Sequence, residues 1–209
     1  MRQSVLDHLR LQAQEAVRIL RNGGVVAVPT DTVYGLAANA QDPAAIDRIF
    51  EIKERPSDLS LPLFLHDADA LPSACRQVAD LTRFFAGRFW PGALTLVVPA
   101  GPSLPRGVTR NGNVAVRVPD HALCQLIVRQ LGRPITGTSA NMSGRPPAQT
   151  PEEVKRQLGK QVDLVIDGGR CPGGVSTIVD LTGEAPAVLR AGIVPEESVR
   201  SAYEEYLAR

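Results

Sequence analysis

From residue 4 to 22, apolar side chains recur near the helical period at Val5, Leu6, Leu9, Ala13, Ala16, Val17 and Leu20. They predict an amphipathic helix stopped by Gly23-Gly24. The rhythm then changes: VVAVP (25–29) is a continuous apolar run of strand length that opens into the polar turn TDTVYG. Asp42-Pro43 predicts a helix start, with a carboxylate cap and proline at the first helical position, running through AAIDRIFEIK. Further helices are expected over 74–89, over 122–132, from the capping box at Thr150-Pro151-Glu152-Glu153, and over 195–207. Strands are expected at 61–65, 95–100, 114–119, 134–136, 162–167, 176–181 and 186–190. Helices and strands interleave, but the late strands follow one another without helices between them. The expected fold is therefore α/β, a twisted mixed sheet of parallel and antiparallel strands with flanking helices.

A chain of 209 residues is long enough to bury a substantial core, and no linker, repeat or low-complexity run divides it, so one domain over 1–209 is expected. The N-terminus mixes charge into every turn and no later run has bilayer-crossing length, which points to a soluble, cytoplasmic protein without membrane contact. Cys75, Cys124 and Cys171 are odd in number and far apart, and His8, His66 and His121 are equally scattered. Neither a disulfide framework nor a protein-held metal site is expected. The net charge of +1 hides an asymmetry: residues 76–145 hold nine arginines (76, 83, 88, 106, 110, 117, 129, 133, 145) against Asp80 and Asp120, a local +7 that leaves −6 elsewhere. Such a segment is either a solvated arginine-rich face or a neighbour for phosphate or RNA.

Several signatures are absent. GRCPGGVST (169–177) has glycines and hydroxyls but no lysine, so it is not a Walker A loop, and no GxGxxG or HExxH occurs. GTSAN (137–141) lacks the second glycine of a GxSxG nucleophile elbow. What remains is a set of polar groups at the ends of expected strands: Thr30, Asp31, Thr32 and Tyr34 after VVAVP, GTSANMSG after PIT, and Ser176-Thr177 opening STIVDL. Loops at strand ends of α/β sheets gather around one crevice, where ligands bind. Lys53 is one of three lysines against twenty arginines, and with Arg55 it either meets phosphate or complements the C-terminus of its helix. Arg117, between Val116 and Val118, points either to water or into a crevice; inside, it needs an anion. FWPG (89–92), with the sole tryptophan, reads as scaffold.

Eight ordered blocks, VVAVPTDTVYGLAANA, KERPSDLSLPL, RFWPGALTLVV, VAVRVPDH, PITGTSANMSG, VDLVIDGG, GGVSTIVDL and VLRAGIV, resemble the YrdC/TsaC family over residues 23–194. The resemblance is to the short, single-domain kind of L-threonylcarbamoyladenylate synthase. It implies a nucleotidyltransferase that joins L-threonine, bicarbonate or CO2, and ATP into threonylcarbamoyl-AMP with loss of pyrophosphate, for the threonylcarbamoyl group of tRNA adenosine 37. It implies Mg2+ with the ATP, a YrdC-like fold with an electropositive concave face, contact with tRNA or double-stranded RNA, and transfer partners of the TsaD, TsaB and TsaE type.

Carried over by position, Lys53, Arg55, Ser139 and Asn141 resemble the set around the nucleotide phosphates, with Arg190 on the nucleotide side and Lys53 and Arg55 as the catalytic cations. Thr32, Arg117 and Ser176 resemble threonine-binding groups. Two positions depart from the family pattern. Phe64 stands where many relatives carry histidine, with His66 two residues on, and Val175 precedes Ser176 where Glu or Pro is usual. Two other readings fit the same residues: an RNA-binding module without catalysis, and an enzyme making carbamoyl-adenylate from carbamoyl phosphate.

Overall fold

The computed structural model describes residues 2–54 and 60–209. Six α-helices occur among them: α1 (Arg2–Arg21), α2 (Pro43–Lys53), α3 (Asp80–Phe89), α4 (Ala122–Leu131), α5 (Pro151–Leu158) and α6 (Glu196–Leu207). The strands are β1 (Val26–Val28), β2 (Gly35–Ala37), β3 (Leu63–Phe64), β4 (Leu94–Pro99), β5 (Thr109–Arg110), β6 (Asn113–Arg117), β7 (Ile135–Thr136), β8 (Thr138–Ser139), β9 (Leu164–Val165), β10 (Thr177–Asp180) and β11 (Ala187–Arg190). They form two mixed sheets. The small one runs β8-β2-β1-β9; the large one runs β11-β10-β4-β6-β3-β7, with β5 paired to β6.

The helix starts follow their local chemistry. Asp42 accepts from the amides of Ala44 and Ala45 and Pro43 opens α2; Thr150 accepts from Glu153 N at 3.2 Å to open α5. The reciprocal bond of that capping box goes one residue further back than its usual form, with Glu153 Oε2 accepting from Gln149 N at 2.7 Å. Helix α1 buries Ala13, Ala16, Val17 and Leu20 against Leu123, Ile127 and Leu131 of α4, closing one core over the small sheet. A second core fills the space around the large sheet, with α2, α3, α5 and α6 contributing.

The expected helix over 74–89 is shortened to α3, because residues 74–76 are drawn to the end of β4. Cys75 bridges to Ala100, and Arg76 N donates to Pro99 O. Tertiary pairing there overrides a helical apolar rhythm. Three strands were absent from the expected set: β2, β5 and β8. The β5–β6 hairpin turns on Asn111 and Gly112, both in the left-handed region (φ 51° and 76°), which is the Asn-Gly turn that matches strand twist.

One crossing joins the two sheets. The chain leaves the large sheet at Thr136 and enters the small one at Thr138, with Gly137 between them. The Phe64 ring lies against Gly137, and a Cβ added there would overlap it; at Gly35, across the way, a Cβ would meet the same ring less closely, at 3.1 Å. Gly137→Ala should therefore destabilise the fold by about 1–3 kcal/mol through overpacking, with the loss largely recovered when Phe64→Leu is added. Urea denaturation midpoints of the single and double variants check this.

Candidate active site

The strand register of the large sheet sets side chains in a row across one face. Phe64 pairs with Arg117, the β4–β6 register puts Thr95 beside Arg117, Thr95 pairs with Ile178, and Ile178 with Arg190. All five line one cavity of about 530 Å³, together with Thr30, Thr32 and Tyr34 from the β1–β2 turn and Gly137, Thr138 and Ser139 from the sheet crossing. Three strand spacings separate Arg117 from Arg190, about 14 Å. A bulge between Ile178 and Val179 lets Leu189 and Arg190 both reach the cavity.

Arg117 is 4% exposed. Its Nη2 donates to Asp31 Oδ1 at 2.6 Å, Nη1 to Thr32 Oγ1 at 3.2 Å and Nε to Gly92 O at 2.9 Å. Of the two directions open to it from alternation, the crevice is the one taken. Burial pushes its pKa down from the ordinary arginine value, opposed by the Asp31 carboxylate, and the guanidinium stays charged. The FWPG turn is its platform: Trp90 Nε1 donates to Leu94 O at 2.7 Å, holding the turn whose Gly92 carbonyl accepts from Arg117.

On the neighbouring strands Ser176 Oγ lies 2.9 Å from Thr95 Oγ1, and Arg190 Nη2 donates to Ser176 Oγ at 3.0 Å and to Ser176 O at 2.8 Å. Burial also lowers the Arg190 pKa. The loop before β10 is strapped over the β1–β2 turn. Tyr34 OH donates to Gly169 O at 2.8 Å and accepts from Gly168 N at 3.1 Å, and Gly173 N donates to Thr32 O at 2.7 Å. Burial pushes the Tyr34 phenol up to about 12.

Of the residues singled out from sequence, Thr32, Arg117, Ser139, Ser176 and Arg190 line the cavity. Lys53 and Asn141 do not; they meet each other behind its wall. Lys53 is 3% exposed, and its Nζ donates to Ser139 O at 2.6 Å and Asn141 O at 2.9 Å, with Asn141 Oδ1 at 3.4 Å. These contacts match the three donors of an ammonium. The Asn141 amide donates to Met142 O and Arg145 O, so both residues shape the 139–145 loop. Arg55 lies outside the described residues. His66 is not in the cavity wall; its Nε2 stands 3.2 Å from Asp67 Oδ2, while Phe64 forms part of the floor.

The local +7 is not gathered in the cavity. Only Arg110 and Arg117 of its nine arginines line the cavity, while Arg88 faces Glu205 and Arg129 faces Asp67. Two contributors escaped the sequence reading: Thr95, the one hydroxyl near the start of a buried apolar strand, and Asp31, which drew notice only as part of the polar turn. Their signal was a polar side chain inside an apolar or tightly turned segment. Among the described residues no Asp or Glu lines the cavity, and no group of three or more His, Cys, Asp or Glu is placed to hold a metal ion. Nor is any described helix long and apolar enough to cross a membrane.

A family model for Sua5, YciO and YrdC proteins, described as telomere recombination, matches residues 18–192. The chain belongs to this Sua5/YciO/YrdC family. It is 40% identical over 186 residues to the threonylcarbamoyl-AMP synthase of Pyrococcus abyssi, covering 88% of this chain but 55% of that protein, so it spans little more than half of that relative's length. The crystal structure of P. abyssi Sua5 complexed with L-threonine superposes with a TM-score of 0.87 at 38% identity, over 91% of this chain and 56% of that one. Escherichia coli YciO superposes with a TM-score of 0.82 at 32% identity, over 91% and 93% of the two chains. The α/β fold with mixed sheets expected from the sequence is thus the fold of the family, here divided into two hydrogen-bonded sheets.

Lys53→Met should leave the carbonyls behind the cavity wall short of a donor. The expected cost is about 1–3 kcal/mol, read from urea unfolding, with faster amide exchange concentrated in residues 139–145.

Proposed function

We propose that this chain, as one YrdC-like domain over residues 1–209, is an L-threonylcarbamoyladenylate synthase acting on L-threonine, bicarbonate or CO2, and ATP in the cytoplasm. The observation that carries the reading is that Thr32, Arg117, Ser139, Ser176 and Arg190, remote in sequence, line one cavity, with Thr32 bonded to Arg117 and Ser176 bonded to Arg190. The relative crystallised with L-threonine, similar along nearly the whole of this chain, supports an amino-acid site there.

The chemistry asks for enclosure more than for a nucleophile. The threonine amine captures CO2 as a carbamate that is labile in water, and a carbamate oxygen then attacks the α-phosphorus of ATP as pyrophosphate leaves. Arg117 retains N–H donors for the amino-acid carboxylate, and the hydroxyls of Thr32 and Ser176 fix the rest of that substrate. Ser139 and Arg190 take the nucleotide, while Lys53 and Asn141 set the backbone of the loop that faces it. Lys53, together with Arg55, supplies positive charge toward the departing pyrophosphate. Among the described residues the cavity wall carries no carboxylate to hold a metal ion of its own. Mg2+ would arrive bound to ATP and would offset negative charge on its phosphates.

The product would pass to a transferase of the TsaD type with TsaB and TsaE, for adenosine 37 of tRNA. The arginines of the basic segment outside the cavity would supply the phosphate contacts for tRNA.

Mass spectrometry of the nucleotide products from ATP, bicarbonate and threonine should give threonylcarbamoyl-AMP. Product from carbamoyl phosphate instead would replace this reading with carbamoyl-adenylate formation, and salt-sensitive RNA binding without ATP turnover would replace it with an RNA-binding module. Arg117→Ala should reduce threonine-dependent ATP–pyrophosphate exchange by about 30-fold or more, as loss of a buried charge contact does. Lys53→Ala and Arg55→Ala should abolish the exchange; unchanged exchange removes both from the mechanism.

A further inference from the structure

We propose that Asp31 is a positioning residue that sets the guanidinium of Arg117 for an amino-acid carboxylate; this rests on the reading of the cavity wall around Thr32 and Arg117 as part of the threonine site. An arginine has five N–H donors in a rigid plane. Three are committed here, one each to Asp31 Oδ1, Thr32 Oγ1 and Gly92 O. One N–H therefore remains on each Nη, and a substrate carboxylate can accept from these.

Of the three anchors, Asp31 is the only charged one and its contact is the shortest at 2.6 Å. The Thr32 hydroxyl is shared with Thr30 Oγ1 at 2.9 Å, so it is a divided anchor. Asp31 is itself tied down, since the same Oδ1 accepts from Asp120 N at 3.1 Å in the turn after β6. Its side chain is 16% exposed and it does not line the cavity, so it acts through Arg117 and not on the substrate.

The pairing has two consequences. A guanidinium held before the ligand arrives loses less rotational freedom on binding. Its charge is also partly compensated, which weakens its pull on anions in general and favours the ligand whose carboxylate matches the fixed plane. An asparagine at position 31 keeps an oxygen acceptor in the same place; an alanine leaves the guanidinium with two neutral anchors.

The test is calorimetric titration of the whole chain with L-threonine and with L-threoninamide, which lacks the carboxylate. The native chain should prefer threonine by about tenfold or more, Asp31→Ala should lower that preference to under about threefold through weaker threonine binding, and Asp31→Asn should keep most of it. A simple loss of folded protein would weaken both ligands alike and leave the ratio unmoved. If Asp31→Ala does not fold, Asp31→Glu carries the test. It retains the charge but displaces it by one methylene, and the preference should again fall. A folded Asp31→Ala or Asp31→Glu variant with the native preference overturns the inference while leaving the threonine site standing. Absence of threonine binding by the native chain overturns the site and the inference together.

Discussion

A buried guanidinium is the constraint around which the rest is arranged. Arg117 cannot shed its charge and has almost no water to solvate it, so protein oxygens must come to it. They come from the turn after β1 and from the turn after α3, while the arginine itself ends β6. Satisfying one side chain thus draws the small sheet, the large sheet and the FWPG turn to a single point. A buried pair of this kind adds little net stability compared with apolar packing, but losing one partner is expensive, about 3–5 kcal/mol. That asymmetry makes the arrangement specific: few other packings of these segments leave Arg117 paired.

The wall opposite is built on a similar logic with a different cation. Lys53 ends α2 and reaches back to carbonyls of the loop that leaves β8, so an ammonium acts as a three-pronged brace beneath a stretch of small residues. Gly137 is small because Phe64 occupies the space a side chain would take, and this close approach lets one strand run from the large sheet into the small one. Between brace and crossing, Ser139 is presented to the cavity while Asn141 is consumed within the loop. Residues adjacent in sequence and alike in chemistry therefore have different work: one faces the ligand space and the other holds the backbone.

Charge along the chain and charge in space part company. Nine arginines stand between 76 and 145, and only Arg110 and Arg117 of them line the cavity. Folding turns Arg88 toward Glu205 and Arg129 toward Asp67, and brings Arg190, from outside the run, onto the same cavity face as Arg117. The cavity's electrostatics come from strand register, because Phe64, Arg117, Thr95, Ile178 and Arg190 fall in one row.

Much was legible from local patterns. The capped starts of α2 and α5, the helical rhythm of α1 and α4, and the apolar runs of β1, β4, β6 and β10 are set by interactions within a few residues, so the sequence alone located them. The ordered blocks also named Thr32, Arg117, Ser139, Ser176 and Arg190, which line the cavity, alongside Lys53 and Asn141, which do not. Short strands such as β2 and β8, the truncation of α3, the choice of Arg117 for the crevice and the turning of Lys53 and Asn141 behind its wall were decided only by tertiary structure. The deciding partners are distant in the chain, Pro99 for Arg76 at a separation of 23 and Ser139 for Lys53 at 86, and a linear pattern carries no information about which distant oxygen a buried cation will find.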